Sequence, residues 1–255
     1  MAADSASSFP NGMTYQHANK IVNLSKGLPI GAMITGTGGI GKESIDTLLK
    51  DLRLRFSGND DSHLDWALDP KNFTMQEIAG RVREFIFEEK INSVGLTDVG
   101  MLIRLCGYSS GSPLAETWDV AINGAECHIP TLLQGVDDFG PRWCGEYEAL
   151  DRLILGVGTG FMQSAINQSF TKEAAIETKA KFTSDLYATL SIPAMPIQDA
   201  IDLAKFLVET TIGFVKFSFD RPIKSVGGPI EIAAITKHEG FKWVQRKHFF
   251  RHDLN

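Results

Sequence analysis

The segment Leu28–Thr35 constrains the fold more than any other part of the chain. It reads LPIGAMIT and carries no charged side chain. A strand of this kind predicts burial on both faces, because a strand with one solvent-exposed face would alternate apolar with polar residues. A sheet buried on both faces needs another layer packed on each side. The sequence therefore predicts a layered fold.

Runs of strands alternate along the chain with pairs of helices. The predicted strands are Lys20–Leu24, Leu28–Thr35, Val99–Tyr108, Glu116–Ile122, Glu126–Leu133, Leu150–Gly158, Pro229–Thr236 and Phe241–Gln245. The predicted helices are Lys42–Phe56, Asn72–Asn92, Thr171–Leu190 and Pro196–Phe217. Segregated helix pairs favour an α+β fold over alternating βαβ units. We expect one domain over residues 1–255, a four-layer αββα sandwich with two stacked sheets between two helix pairs.

Composition excludes several classes of function. The chain has 25 Lys and Arg against 31 Asp and Glu, a net charge of −6, which argues against nucleic-acid binding because phosphates need a basic face. Three scattered cysteines predict neither a disulfide framework nor a zinc site. We expect no metal and no cofactor. No signal peptide and no long apolar run is evident, so we expect a cytoplasmic protein without membrane contact. The basic segment KHFFRHD, which begins at Lys247, predicts a solvated tail.

The glycines that follow Thr35 admit two readings as a nucleotide site. Gly36 to Gly41 matches G-x-G-x-x-G, but two helices rather than a βαβ unit follow it. The stretch from Gly36 to Lys42 also approximates a phosphate-binding loop, with Glu43 where Ser or Thr should hold magnesium. A carboxylate there would repel phosphate. The alternatives are a simple strand-to-helix turn and a turn whose backbone N–H groups hold an oxyanion.

Several segments, taken in order, resemble the β-type subunits of the proteasome, members of the N-terminal-nucleophile hydrolase superfamily. The chain begins with Ala-Ala-Asp-Ser around Asp4, and Lys20 opens a short apolar strand at the family's spacing from that aspartate. Thr35–Gly36 resembles a family strand end of a small residue and glycine. Val157–Gly160 resembles the family's Val-Gly-Ser-Gly strand end, and Gly227–Gly228 precedes a closing hairpin, as in the family.

The resemblance implies the αββα fold and threonine-type hydrolysis of a peptide or amide substrate. In this chemistry an N-terminal threonine hydroxyl attacks the carbonyl and its own α-amine is the base. By resemblance, Asp4 orients Lys20, and the N–H of Gly36 stabilises the oxyanion. Thr159 stands where the family has a supporting serine. Asp220 and Ser225 would stand for a supporting aspartate and serine, with a loop insertion before Gly227. Self-association into rings or stacked rings is also implied.

One departure from the family is serious. Only three residues precede Asp4, so the nucleophilic threonine and the first strand have no counterpart. Either the true protein starts upstream of Met1, or the chain is a non-catalytic ring or assembly subunit of the same fold. We expect the first, because a missing central strand would leave two unpaired sheet edges. A nucleotide-binding protein that uses Gly36–Lys42 is the third possibility.

Overall fold

The computed structural model describes residues 1–9, 11–221 and 223–247. Its strands are β1 Ala2–Ala3, β2 Ser7–Ser8, β3 Thr14–Tyr15, β4 Ile21–Asn23, β5 Ile30–Gly36, β6 Gly39–Ile40, β7 Glu43–Ser44, β8 Gly100–Gly107, β9 Glu116–Asn123, β10 Glu126–Cys127, β11 Thr131–Gln134, β12 Glu231–Thr236 and β13 Gly240–Gln245. Its α-helices are α1 Ile45–Phe56, α2 Met75–Arg83, α3 Asn92–Val94, α4 Glu148–Leu150, α5 Phe161–Asn167, α6 Lys172–Leu186 and α7 Ile197–Phe217. Leu64–Trp66 is a 3₁₀ turn, and Glu84–Ile91 and Asp151–Leu155 are π-helical.

The chain is a mixed α+β protein that divides into two compact units. The first unit comprises Met1–Ser7, Tyr15–Asp138 and the segment from Gly228 onward. The second comprises Ser8–Thr14 and Phe139–Gly227. The single domain over residues 1–255 stays a prediction. No helix within the described ranges is both long enough and apolar enough to cross a bilayer.

A central antiparallel sheet organises the first unit. Its strand order is β10-β9-β8-β5-β4, and β11 also pairs with β9. As Asn123–Gly124 predicts, a tight hairpin joins β9 to β10, with Glu126 opposite Asn123. The predicted helix Asn72–Asn92 is also found, as α2 continued by the π-helical turn and α3, and the amide of Glu77 donates to the capping Thr74 hydroxyl at 3.1 Å.

The central sheet is covered on both faces, as the composition of its strand β5 predicts. Helices α1 and α2 pack on one face and form the largest apolar core with side chains such as Leu24, Ile103 and Val120. The three-stranded sheet β1-β12-β13 lies on the other face, where Ile21 packs with Phe241. Gly31 permits this approach, because a Cβ there would lie 2.9 Å from the side chain of Ile235. The first unit therefore has a helix layer and two stacked sheets.

The second unit is helical, and one sequence prediction is wrong there. Leu150–Gly158, expected as a buried strand, is helical up to Leu155 and ends where Gly156 adopts φ +74°. Leu150 and Ile154 are four residues apart, so a helix places both against Leu207 in the core of this unit. A short apolar run does not separate strand from buried helix by periodicity alone. Helix α5 was not predicted at all.

Candidate functional site

An ion pair joins the two charged residues that the sequence analysis placed at the head of the site. Lys20 Nζ lies 2.6 Å from Asp4 Oδ1, and their side chains are 21% and 12% exposed. Asp4 directly follows β1 and Lys20 directly precedes β4. The second carboxylate oxygen of Asp4 accepts a hydrogen bond from the amide of Ala6 at 2.9 Å. Asp4 is therefore held from two sides, while Lys20 keeps some contact with solvent.

Backbone hydrogen bonds fix the segments that carry this pair. The amide of Ala18 donates to the carbonyl of Ser5, and the amide of Ile34 donates to the carbonyl of Lys20, both at 2.9 Å. The second bond places Lys20 beside β5. Gly36 lies two residues, about 7 Å, farther along that strand. Asp4, Lys20 and Gly36 thus belong to one region of the first unit.

Gly36 ends β5 in a conformation that only glycine adopts easily. Its φ is +93°, and a Cβ at this position would lie 2.0 Å from the carbonyl oxygen of Gly100. The amide of Thr37 donates to the same carbonyl at 2.7 Å. The requirement for glycine therefore follows from the backbone turn itself, and the oxyanion role of Gly36 stays a prediction.

The segment from Gly36 to Lys42 does not form a phosphate-binding loop of the usual geometry. Strands β6 and β7 form a hairpin, with Gly41 and Lys42 at its tip. Helix α1 begins after Ser44, whose hydroxyl accepts from the amide of Thr47 at 3.1 Å. In a phosphate-binding loop the glycine-lysine pair opens the helix directly, so that its amides face the phosphates. This geometry gives no support to the nucleotide alternative.

The residue before Lys20, Asn19, bonds to a second ion pair, between Asp46 and Lys50. Asp46, in the first turn of α1, accepts from the side-chain amide of Asn19 at 2.9 Å and from Lys50 Nζ at 2.6 Å. An acidic residue in the first turn also stabilises the helix through its dipole. Asp46 therefore links Asn19, and with it the start of β4, to the first turn of α1.

Thr159 lies in the second unit and contacts a carboxylate that the sequence analysis missed. Glu148, 4% exposed, accepts from the amide of Thr159 at 2.6 Å, from the Thr159 hydroxyl, and from Arg152 Nε at 2.6 Å. Burial alone would raise the pKa of Glu148, but these hydrogen bonds lower it to about 2. Gly158 permits the contact, because a Cβ there would lie 2.5 Å from Glu148 Oε1. Thr159 follows a helix and not the strand end that the resemblance implies.

The two remaining predicted residues do not join Thr159. Asp220 lies in an exposed turn after α7, and Ser225 is exposed in the following loop, where its amide donates to the carbonyl of Ile223. Within residues 11–221 and 223–247, no hydrogen bond or ion pair links Asp220 or Ser225 to Thr159. The supporting trio that the resemblance implies is therefore not assembled here, and Glu148 is the partner of Thr159.

The signal for Glu148 was present in the sequence. Glu148 and Arg152 have the i,i+4 spacing of an ion pair on a helix, but the expectation of a strand over Leu150–Gly158 concealed it. Across the described residues, no group of three His, Cys, Asp or Glu side chains gathers in a way that could hold a metal ion.

Comparisons with known proteins bring no assignment to this site. Neither a scan against protein-family models nor a search of curated proteins returned a match for the chain. The assignment of function therefore depends on the geometry of the residues themselves.

Proposed function

We propose that this chain is the body of a proteasome-like N-terminal-nucleophile hydrolase that cleaves peptide or amide bonds. The observation that carries the proposal is the 2.6 Å ion pair between Asp4 and Lys20. The two residues lie sixteen positions apart in sequence. In the family that the chain resembles, the aspartate at the position of Asp4 orients the lysine at the position of Lys20. A surface pair at this spacing would be unremarkable, but this one is largely buried beside the strand that ends at Gly36.

The layers of the first unit support the same proposal. A helix layer and two stacked sheets are three of the four layers of an αββα sandwich. The proposal also includes a cytoplasmic location and assembly into rings.

In the proposed reaction, Lys20 favours the deprotonated nucleophile through its positive charge, and Asp4 fixes the position of the ammonium group. The hydroxyl or thiol of the N-terminal residue attacks the substrate carbonyl, and the α-amine of the same residue takes up its proton. The C–N bond of the substrate then breaks, the proton passes to the departing amine, and water hydrolyses the acyl-enzyme to regenerate the nucleophile. The ordinary pKa of that amine is about 8, so about one fifth of it is neutral, and able to act as a base, near pH 7.4. The N–H of Gly36 would donate to the developing oxyanion. The nucleophile would be the N-terminal residue of the native protein.

The decisive experiment uses the native protein with its natural N-terminus, established by intact-mass measurement. We expect turnover of fluorogenic peptide substrates that falls by at least about 10²-fold on Lys20→Ala. The matched control is Lys181→Ala, which breaks an exposed ion pair with Glu177 on α6. Undiminished turnover in the Lys20 variant would overturn the assigned role. A native N-terminus without Thr, Ser or Cys would overturn the catalytic proposal.

One observation favours the second candidate, a non-catalytic ring or assembly subunit of the same fold. Large apolar side chains are exposed along α6 and α7, among them Ile176, Leu186 and Phe217. Exposed apolar faces of this kind are typical of surfaces that bind another protein. Sedimentation of the native protein separates the candidates: rings without turnover support the subunit, and rings with Lys20-dependent turnover support the enzyme.

A further inference from the structure

A lysine from the predicted solvated tail is buried in the first unit. The side chain of Lys247 is 3% exposed. Its Nζ donates to the carbonyl of Ala18 at 2.6 Å and to the hydroxyl of Ser5 at 2.9 Å. Lys247 is therefore not a solvated residue, and the prediction is wrong at this position. The rest of the predicted tail, from His248 onward, lies outside the described residues.

The charge partner of Lys247 is Glu231, the first residue of β12. Its Oε2 lies 3.1 Å from Lys247 Nζ, and its side chain is 1% exposed. Within the described ranges, neither carboxylate oxygen of Glu231 accepts a well-aligned hydrogen bond, so the ion pair is what compensates its burial. Burial lowers the pKa of Lys247, and the attraction of Glu231 opposes that shift. Two charges this deeply buried are costly unless their geometry is fixed.

The contacts of Lys247 reach both chain segments that carry the Asp4–Lys20 pair. Ser5 is the neighbour of Asp4, and Ala18 lies two residues before Lys20. The same segments are already joined by the hydrogen bond from the amide of Ala18 to the carbonyl of Ser5. The Ser5 hydroxyl in turn donates to the carbonyl of Pro229 at 2.6 Å, just before β12. The ammonium group of Lys247 therefore bonds to both segments that carry the Asp4–Lys20 pair, and its charge partner Glu231 belongs to β12.

We propose that Lys247, held by Glu231, is a positioning residue that fixes Lys20 against Asp4 through Ser5 and Ala18. Lys247 does not touch a reacting group. It sets the distance between the two segments, and that distance decides where the ammonium of Lys20 lies. A displacement of about 1 Å in a group of this kind can cost on the order of 10²-fold in rate. The catalytic consequence depends on the proposed hydrolase function, whereas the geometry of Lys20 can be measured without it.

The test removes the buried pair as a unit, because either single change would leave an unpaired buried charge. Lys247→Met with Glu231→Gln leaves the net charge unchanged and takes the donor away from Ser5 and Ala18. The control is Lys90→Met with Glu43→Gln, which neutralises a far more exposed pair at 3.6 Å in the same unit. Circular dichroism and thermal unfolding establish that each variant is folded.

The first readout is the rate at which an acylating reagent modifies Lys20 in the full chain, resolved by mass spectrometry across a pH series. We expect severalfold faster acylation in the Lys247/Glu231 variant than in the wild type, because Lys20 is released from Asp4, and no change in the control. Equal acylation rates in folded variant and control would overturn the proposal. This result does not depend on activity, so it stands even if the protein proves not to be a hydrolase.

The second readout is turnover by the native enzyme. We expect kcat to fall on the order of 10²-fold with KM unchanged, the signature of a misplaced group and not of lost substrate binding. If the double variant does not fold, Ser5→Ala is used instead. It removes the hydrogen bond from Lys247 to the Ser5 hydroxyl, leaves the one to the carbonyl of Ala18, and should raise the rate of Lys20 acylation by a smaller factor. Unchanged acylation in that variant would then overturn the proposal.

Discussion

Replacement of the buried Glu148 carboxylate should destabilise the protein in a way that depends on pH. In the folded state its pKa falls from 4.5 to about 2, held there by hydrogen bonds from the amide and hydroxyl of Thr159 and from Arg152. Each pKa unit corresponds to about 1.4 kcal/mol, so the ionised form is favoured by about 3 kcal/mol. Arg152 is 63% exposed, and solvent screens its share. We therefore expect Glu148→Gln to cost about 2 kcal/mol at neutral pH.

The sign of the pH dependence follows from the lowered pKa. A carboxylate with a lower pKa in the folded state stabilises the protein fully above its unfolded pKa of 4.5, and loses that contribution as the pH falls toward 2. The difference in unfolding free energy between wild type and Glu148→Gln should thus be largest at about pH 7. More than half of it should be lost at about pH 3.

Urea unfolding curves of both proteins at the two pH values measure this difference directly. Amide hydrogen exchange at Thr159 gives a local check, because its N–H donates to Glu148 and should exchange faster in the variant. Glu177→Gln, which removes an exposed carboxylate paired with Lys181, is the control and should change little. A stability difference that is the same at both pH values would refute the account of Glu148.

Two further substitutions test the central sheet of the first unit. Gly36→Ala should destabilise the protein by about 1–3 kcal/mol, since φ is +93° and the new Cβ would meet the carbonyl of Gly100; Gly100→Ala, where a Cβ meets nothing within 4 Å, is the control in thermal unfolding. Arg104 on β8 donates two 2.8 Å hydrogen bonds to the carboxylate of Asp119 on β9. Arg104→Met should cost about 3 kcal/mol or more of stability, because it leaves the largely buried charge of Asp119 without this ion pair. Restored stability in the Arg104→Met/Asp119→Leu variant would support this reason, and a loss equal to that of the single variant would contradict it.

Local patterns in the sequence predict the elements where a single physical cause acts. Asn123–Gly124 specifies its hairpin because both residues tolerate the backbone of the turn, and Thr74 specifies a helix start through its hydroxyl. The uncharged run in Leu28–Thr35 predicts cover on both faces, and β5 has it. The prediction of a strand over Leu150–Gly158 is wrong for the opposite reason. The apolar residues of this run are compatible with the periodicity of a strand and with that of a helix, and packing of Leu150 and Ile154 against Leu207 favours the helix.

In the candidate site, too, one contact could be predicted from the sequence and another could not. The Asp4–Lys20 contact was accessible to sequence reasoning through a known spacing. Lys247 was not, because composition predicts that a lysine among basic and aromatic residues is solvated, and its burial depends on a glutamate sixteen residues earlier and on partners more than two hundred residues away. Contacts of such separation leave no periodic or local trace in a single sequence.

The long-range contacts also bear on how the site forms. Lys247 bonds to Ser5 across 242 positions, and Ser5 bonds to Pro229 across 224. Contacts of high sequence separation are closed late, because the entropy of the intervening loop is lost before they add stability. We expect the Asp4–Lys20 segments to meet early through the short connection between them, and, under the proposed role of Lys247, to reach their fixed geometry only when β12 and Lys247 are in place. Substitutions at Glu231 should then disturb Lys20 even though the two side chains belong to distant parts of the sequence.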